Sequence, residues 1–427
     1  MDTNPVPSGN ADSQASVRPV SARERIGEID VLRGWAIFGM FLINTGSLGG
    51  YWRFPQQWTG MLDRVTVHLL TILAEDKFFT LFAFLFGLGF GIQLWRAEVG
   101  GSHFIPIYMR RLVVLFLIGL SALLFIAPVL VLISYALLGF VLLMFRNCQP
   151  QTLLRIAFVC LLIPFASEAV VATRTSLRAD NPQLEQQWAA QDKGRAAKRA
   201  ERRSESIRVN TEGTYRELMV WRARFGIAIY SDTGRRVVTL LGNTLPIFLL
   251  GLWAGRRRIF ENLSTQLPFV RKVLWWGMAI GFGGTLASLA VRDWLDLGTP
   301  MVTEPLATLL WNFGRPGLCF FYAAGLVLLA QRQHWKRRLT PLAAVGRMAL
   351  SNYLLQLVVF ALVFPAYGLG LYGRIGPALG VAFAVLAFGA QIFWSVWWIR
   401  RFRYGPAEWL WRVLTYGKLL PIRCSVQ

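Results

Sequence analysis

Histidine and cysteine are nearly missing from this chain: three of the former and four of the latter occur among 427 residues. His68, His103 and His334 lie far apart, as do Cys148, Cys160, Cys319 and Cys424, and no CxxC pair exists. A metal centre of imidazole or thiolate therefore has no ligand set, and the cysteines read as buried apolar thiols. Acid is scarce too, with 23 Asp and Glu against 45 Lys and Arg, and charged residues are only 16% of the chain. A soluble protein carries about 25% charged residues, so a soluble globular class is excluded. No G-x-S-x-G elbow or phosphate-cradling loop occurs, and GLGFG (87–91) lies inside an apolar run with no strand before it, which reads as helix packing. The first 28 residues are polar and lack the apolar stretch of a cleaved signal, so they read as a disordered cytoplasmic tail.

What the chain has in abundance is apolar length. Hydrophobic residues are 55% of the sequence, and mean hydropathy is +0.44. Apolar runs fall near 30–48, 78–95, 112–127, 129–145, 153–173, 237–255, 272–291, 306–330, 342–364 and 376–398. Each approaches or reaches the ~20 residues a helix needs to cross the hydrocarbon. The expected fold class is all-α: a polytopic transmembrane bundle of ten spans with a C-terminal interfacial helix. Its parts are the tail 1–28, a five-span half 29–173, an extracytoplasmic helical loop 174–236, a second five-span half 237–398 and a cytoplasmic amphipathic tail 399–427. Pro128 reads as the turn of a helical hairpin, and Gly242, Pro246, Gly314, Pro316 and Gly317 as interruptions of the sixth and eighth spans.

Basic loops then orient the bundle. By span parity Arg23, Arg25, Arg96, Arg110, Arg111, Arg146, Arg256 to Arg258, Arg271, Arg332, Arg337, Arg338 and Arg400 fall on one side, which is expected to be cytoplasmic. Both termini then lie in the cytoplasm of a bacterial cell, with the spans in its inner membrane and anionic lipids against the basic loops. The formal net charge of +22 reads as this topology signal; no zinc, helix-turn-helix or stacking signature points to nucleic acid. The 174–236 excursion is basic as well, but long segments translocate regardless of charge. Its Ala-, Gln-, Glu- and Arg-rich middle reads as helix. Residues 404–417, with Trp409, Leu410, Val413 and Leu414 beside Arg412, read as a short interfacial helix opened by Pro406.

Ionisable groups at membrane depth are costly and mark cavities or partners. Arg315, in NFGRPG (312–317), has about ten spanning residues on each side, too far to snorkel. Glu75, Asp76 and Glu168 are its candidate partners, and Lys77 opens the second span. Asp30 and Arg33, three apart on one helical face, read either as a helix-start pair or as part of a site. Arg347 begins GRMALSNYLLQ (346–356), where Asn352 and Gln356 share a face suited to interhelical hydrogen bonds or to substrate contact. His68 lies in the amphipathic run TVHLLTIL (66–73), as a surface imidazole or a base.

Four segments together resemble the YeiB-like family of bacterial inner-membrane proteins: IDVLRGWAIFGMFLIN (29–44), KFFTLFAFLFGLGFG (77–91), GRMALSNYLLQ (346–356) and GPAEWLWR (405–412). The likeness extends over most of 26–418, and the last two motifs are the most specific. More widely, the D-x-x-R-G opening, Asn44 one helix-length on, and YWRFPQQW (51–58) are similar to membrane N-acetyltransferases of the heparan-glucosaminide type. Those enzymes carry an acetyl group from acetyl-CoA across the membrane to a sugar, with a histidine in the aromatic loop. Here that loop holds Pro55, Gln56 and Gln57, so a base would have to be Asp30 or His68.

Three functions are compatible with these residues. In the first, a transmembrane acyl-group transferase takes acetyl-CoA or another acyl-CoA from the cytoplasm. Asp30, Arg33, Asn44, Lys77, Asn312, Arg315, Arg347, Asn352 and Gln356 would line a polar cavity leading to a small-molecule or lipid-linked envelope substrate. In the second, the same groups bind a small anionic or lipid-like solute for transport. In the third, they only join the helices of a scaffold. Association into a homo-oligomer is left open.

Overall fold

The computed structural model describes residues 26–99, 104–179, 182–295 and 300–423; most of the polar tail, His103 and Cys424 lie outside the described residues. Within them the chain is helical, and its strand-like pairing is one isolated bridge between Phe402 and Arg423. Helix α1 (Gly27–Leu48) is followed by the amphipathic α2 (Met61–Leu73), α3 (Lys77–Val99), α4 (Phe104–Phe125) and a short α5 (Val131–Met144). Helices α6 (Pro150–Leu161) and α7 (Ile163–Ala179) run on almost as one, before α8 (Pro182–Thr211), α9 (Tyr215–Ser231) and α10 (Thr233–Val237). A π-helical turn, Val238–Thr244, leads into α11 (Leu245–Arg256). The chain continues through α12 (Leu263–Asp293), α13 (Pro300–Ala330), α14 (Gln333–Arg347), α15 (Ala349–Val363), α16 (Pro377–Arg401) and α17 (Pro406–Tyr416).

Among the described residues, eight helices are long and apolar enough to cross a bilayer, or nine if the bent pair α14–α15 counts as one span. The expectation of ten is corrected at two places. α5 has 14 residues and rises only ~21 Å against a ~30 Å hydrocarbon core. The run 342–364 is not one helix: α14 and α15 meet at 75° around Met348. The expected interruptions are also divided. The sixth run does break, into the π turn ahead of Pro246, whereas α13 continues through Pro305 and Pro316.

Small residues set how closely these helices approach. Between helices in lipid there is no water to expel, so backbone proximity and dispersion supply the association energy. α12 meets α13 along Gly277, Gly281 and Gly284 against Gly314 and Gly317, and α3 meets α11 along Gly87 and Gly91 against Gly251 and Gly255. α1 crosses α14 at Gly34 and Gly346, where a Cβ on Gly346 would occupy the position of the Asp30 carbonyl oxygen. Gly346→Ala is therefore expected to cost ~1–3 kcal/mol by overpacking. A lowered thermal midpoint of the purified protein checks this; an unchanged one would show that the crossing is looser.

Contacts sort the loops into two ends. At one end the Gln331 amide donates to Glu28 at 3.2 Å, and the Trp411 indole of α17 donates to the Arg111 carbonyl at 2.9 Å. Arg256 also donates to the Cys148 carbonyl there. At the other end the Ala366 amide donates to Asn210 at 2.9 Å and the Gly373 amide to Gly49 at 2.8 Å. The Tyr215 hydroxyl donates to the Phe125 carbonyl at 2.9 Å on that same end. α8 and α9 thus form a helical cap over the second end. A reciprocal capping box, Thr214 with Glu217, starts α9.

Candidate functional site

A break between α2 and α3 carries charge into the bundle. Ala74 to Asp76 form a turn in which Asp76 adopts φ of 62°, a left-handed conformation that is strained for a residue with a Cβ. The turn delivers Lys77, 0% exposed, to the first position of α3. Its ammonium donates to the Thr71 carbonyl at 2.8 Å and stands 4.1 Å from the Trp311 ring centroid on α13. About one turn further along α13, Arg315 is 5% exposed. Its Nη2 donates to the Asn243 carbonyl at 3.3 Å, with the Asn243 side-chain oxygen at 3.5 Å. Asn243 lies near the end of the π-helical turn, a widened geometry that recurs at functional sites. Of the three acids nominated as partners of Arg315, Asp76 is the one whose charge acts on it, without a direct ion pair among the described residues, and Lys77 is within electrostatic range of both.

Donors remain unspent around this cluster. Arg315 Nε, Asn312 Nδ2 and the Thr285 hydroxyl are buried without a hydrogen-bond partner among the described residues. Asn312 and Arg315 share one face of α13, and Thr285 reaches Gly314 from α12. Each unmet buried group costs ~1–3 kcal/mol unless water or a ligand satisfies it. Two buried cations face two acids, Asp76 and Glu75, and the several unmet donors beside them suit an acceptor group such as an anion. From Arg315 to the end of α13 at Ala330 the helix rises ~22 Å, so the guanidinium cannot reach that surface.

The other nominated residues are not brought into this cluster. Asp30 and Arg33 pair at 3.0 Å at the start of α1, and Arg33 approaches Gly89 of α3. Nearby, Arg111 donates to Gln93 at 2.9 Å and lies 4.2 Å from the Trp411 ring centroid, in electrostatic range of Arg33 and Arg412. Arg347, half-buried, closes α14 at the bend. Asn352 and Gln356 knit α15 to its neighbours. Asn352 Nδ2 donates to Ser395 at 2.9 Å and to the Val345 carbonyl at 3.0 Å. Gln356 Nε2 donates to Gln391 at 2.9 Å and to the Ile37 carbonyl at 3.4 Å, while Gln391 donates to the Asn352 carbonyl at 2.7 Å. Both side chains are thus engaged in interhelical hydrogen bonds, with Gln356 Oε1 left without a partner among the described residues. Asn44 is buried on α1 with its Nδ2 unpartnered, and His68 is exposed on α2.

Sequence reasoning missed Asn243, Thr285 and Trp311, and it missed the meaning of Glu408. One Glu408 oxygen accepts the Leu350 and Ser351 amides at 2.6 and 3.1 Å, and the other accepts the Ser351 hydroxyl. That hydroxyl in turn accepts the Ala407 amide at 2.9 Å. The carboxyl caps α15 while the serine caps α17, so the motifs at 346–356 and 405–412 exist to hold each other.

Both motifs fall inside residues 254–418, which match DUF418, a family described as a protein of unknown function. Over nearly its whole length the chain is 34% identical to the uncharacterized protein YxaH of Bacillus subtilis, covering 96% of this chain and 98% of the relative. The chain belongs to the YeiB-like DUF418 family. YeiB of Escherichia coli, also uncharacterized, is 28% identical over 92% of this chain and 96% of its own length. An uncharacterized 39.9 kDa protein from the amylase 3′ region of Bacillus acidopullulyticus is 27% identical over 95% and 97%. No solved structure matches. In this YeiB-like chain the DUF418 segment contributes Thr285, Trp311, Asn312 and Arg315, whereas Asp76, Lys77 and Asn243 come from before it.

Proposed function

We propose that this YeiB-like protein binds a small anionic or lipid-like solute between Arg315 and Lys77 and moves it across the bacterial inner membrane, with both termini in the cytoplasm. The observation that carries the reading is a buried guanidinium with an unpartnered Nε beside the equally unpartnered Asn312 amide. Arginine recognises carboxylate and phosphate through its fork, and membrane-embedded cations of this kind line solute paths. The protein reconstituted in vesicles is expected to take up at least one labelled anion from a panel of short carboxylates, phosphate esters and lysophosphatidylglycerol. Lys77→Met is expected to slow that uptake by about tenfold, the equivalent of one weakened charge-assisted contact. Uptake of none of the panel would sink the reading.

A second reading, acyl transfer from cytoplasmic acetyl-CoA or another acyl-CoA, is favoured by the guanidiniums of Arg33, Arg111 and Arg412 gathered around the start of α1. Group transfer requires a base within hydrogen-bond reach of the acceptor. Asp30 is held by Arg33 and His68 is exposed on α2, so transport stands first. Radiolabelled acetyl-CoA separates the two: label passed to an envelope extract selects group transfer, and no bound label leaves transport.

A further inference from the structure

The largest fully buried side chain among the described residues is a cation, Arg222, at 1% exposure. It belongs to α9, in the cap and outside the spans, on the face that buries Leu218, Trp221, Arg222 and Gly226. α9 lies across the end of α4, with Tyr215 bonded to the Phe125 carbonyl and Gly226 against Leu123, so this face looks into the bundle. Arg222 makes one hydrogen bond, from Nη2 to the Tyr367 hydroxyl at 3.3 Å. Its Nε and Nη1 have no partner among the described residues. The nearby acids of the cap are engaged elsewhere, Glu217 with Arg208 and Glu205 with Arg224, each at 3.8 Å. The underside of the cap is basic as well: Arg203 of α8 donates to the Arg53 carbonyl at 2.6 Å, and both lie beside Tyr372.

Burial of a charge is ordinarily relieved by proton loss or by a counter-ion. Guanidinium does not lose its proton in proteins, so only a counter-ion remains. We propose that Arg222 is the cation of a second anion site, under the α8–α9 cap, that takes a phosphate group on its unpaired guanidinium N–H donors. The Tyr367 hydroxyl, which accepts from Nη2, has its own proton to donate to the same group. The phosphate is a free anion or the headgroup of an anionic lipid. The site is separate from the one between α3 and α13, and it stands whether or not Arg315 binds a solute.

The test is the thermal midpoint of the full-length protein at constant ionic strength, titrated with inorganic phosphate in detergent. A parallel series uses nanodiscs of phosphatidylcholine with and without phosphatidylglycerol. The wild type is expected to show a saturable rise, and Arg222→Gln to need about tenfold more anion for the same rise, having lost the charged fork. A rise with phosphate in detergent assigns a free anion; a rise only with phosphatidylglycerol assigns a headgroup. Without ligand, Arg222→Gln is expected to melt no lower than the wild type, because an uncompensated buried charge has been removed. A wild-type midpoint indifferent to both additions overturns the proposal. So does a response that survives in Arg222→Gln but disappears in Arg315→Met. If the glutamine variant does not accumulate, Arg222→Lys replaces it: a weakened response supports the site, and an undiminished one overturns it.

Discussion

Glu408→Ala is expected to destabilise the protein by about 3–5 kcal/mol, since it strands two buried amides and a hydroxyl at ~1–3 kcal/mol each, with some relaxation. The loss should appear as a lowered thermal midpoint and as rapid tryptic release of the segment that carries α17. Glu408→Gln keeps one oxygen for the Leu350 and Ser351 amides and should cost much less. Ser351→Ala combined with Glu408→Ala should cost less than the sum of the two, because both act in one reciprocal cap. The pH dependence has a definite sign. Burial pushes the Glu408 carboxyl up, outweighing the hydrogen bonds from Ser351 and Leu350 that pull it down. A carboxyl raised on folding contributes its full stability below its unfolded value, and that contribution is lost as pH rises through the folded value. The wild-type midpoint is therefore expected to fall as pH climbs above about 4, and the Gln variant to lose that part of the slope. A Glu408→Ala protein that melts like the wild type would mean that α17 is not clasped to α15.

Arg315→Met is expected to abolish uptake of whichever anion the wild type carries. A lost charge-assisted hydrogen bond of up to ~3 kcal/mol corresponds to about 100-fold weaker binding. The same change removes one of the two cations that act on Asp76, leaving Lys77 as the other, so the variant should also be less stable. Asp76→Asn in the Arg315→Met background removes the charge that Arg315 had faced and leaves Lys77 with Glu75 as its acid. That double variant should regain stability but not uptake, which separates a binding role from a purely structural one. Uptake at wild-type rate in a folded Arg315→Met protein would remove the site from the proposal.

The helical framework was largely legible because hydropathy reports burial in lipid directly. Every apolar run has a helical counterpart, and α17 appears where Pro406 and the Trp-rich face placed it. The bend at Met348 was not legible. Neither proline nor a glycine pair marks it, and the chain turns there because Gly346 seats α14 across α1 while Glu408, 60 residues downstream, caps the new helix. α5 was read as a full span because Val129 and Leu130 are apolar yet belong to the turn before it. Within the site, Arg315 stood out because nothing around it in sequence could neutralise it. Lys77 was recognisable only as a charge at a helix start; its burial depends on the turn at Ala74–Asp76 and on Trp311 of α13 packing against it. Asn243 carried no charge or motif, and the role it plays comes from backbone geometry rather than from residue type.

That backbone geometry has a mechanical corollary. A π turn holds one residue more than the α-helical path it replaces, so Val238–Thr244 stores a single-residue surplus. Were the surplus to pass along the chain, one flank would rotate by ~100° and slide ~1.5 Å against its neighbours. The Asn243 oxygens would swing off the Arg315 guanidinium, uncovering it, while the glycine-lined seam of α11 with α3 could stay put. A ratchet of one residue would thus suffice to cover or uncover the buried guanidinium.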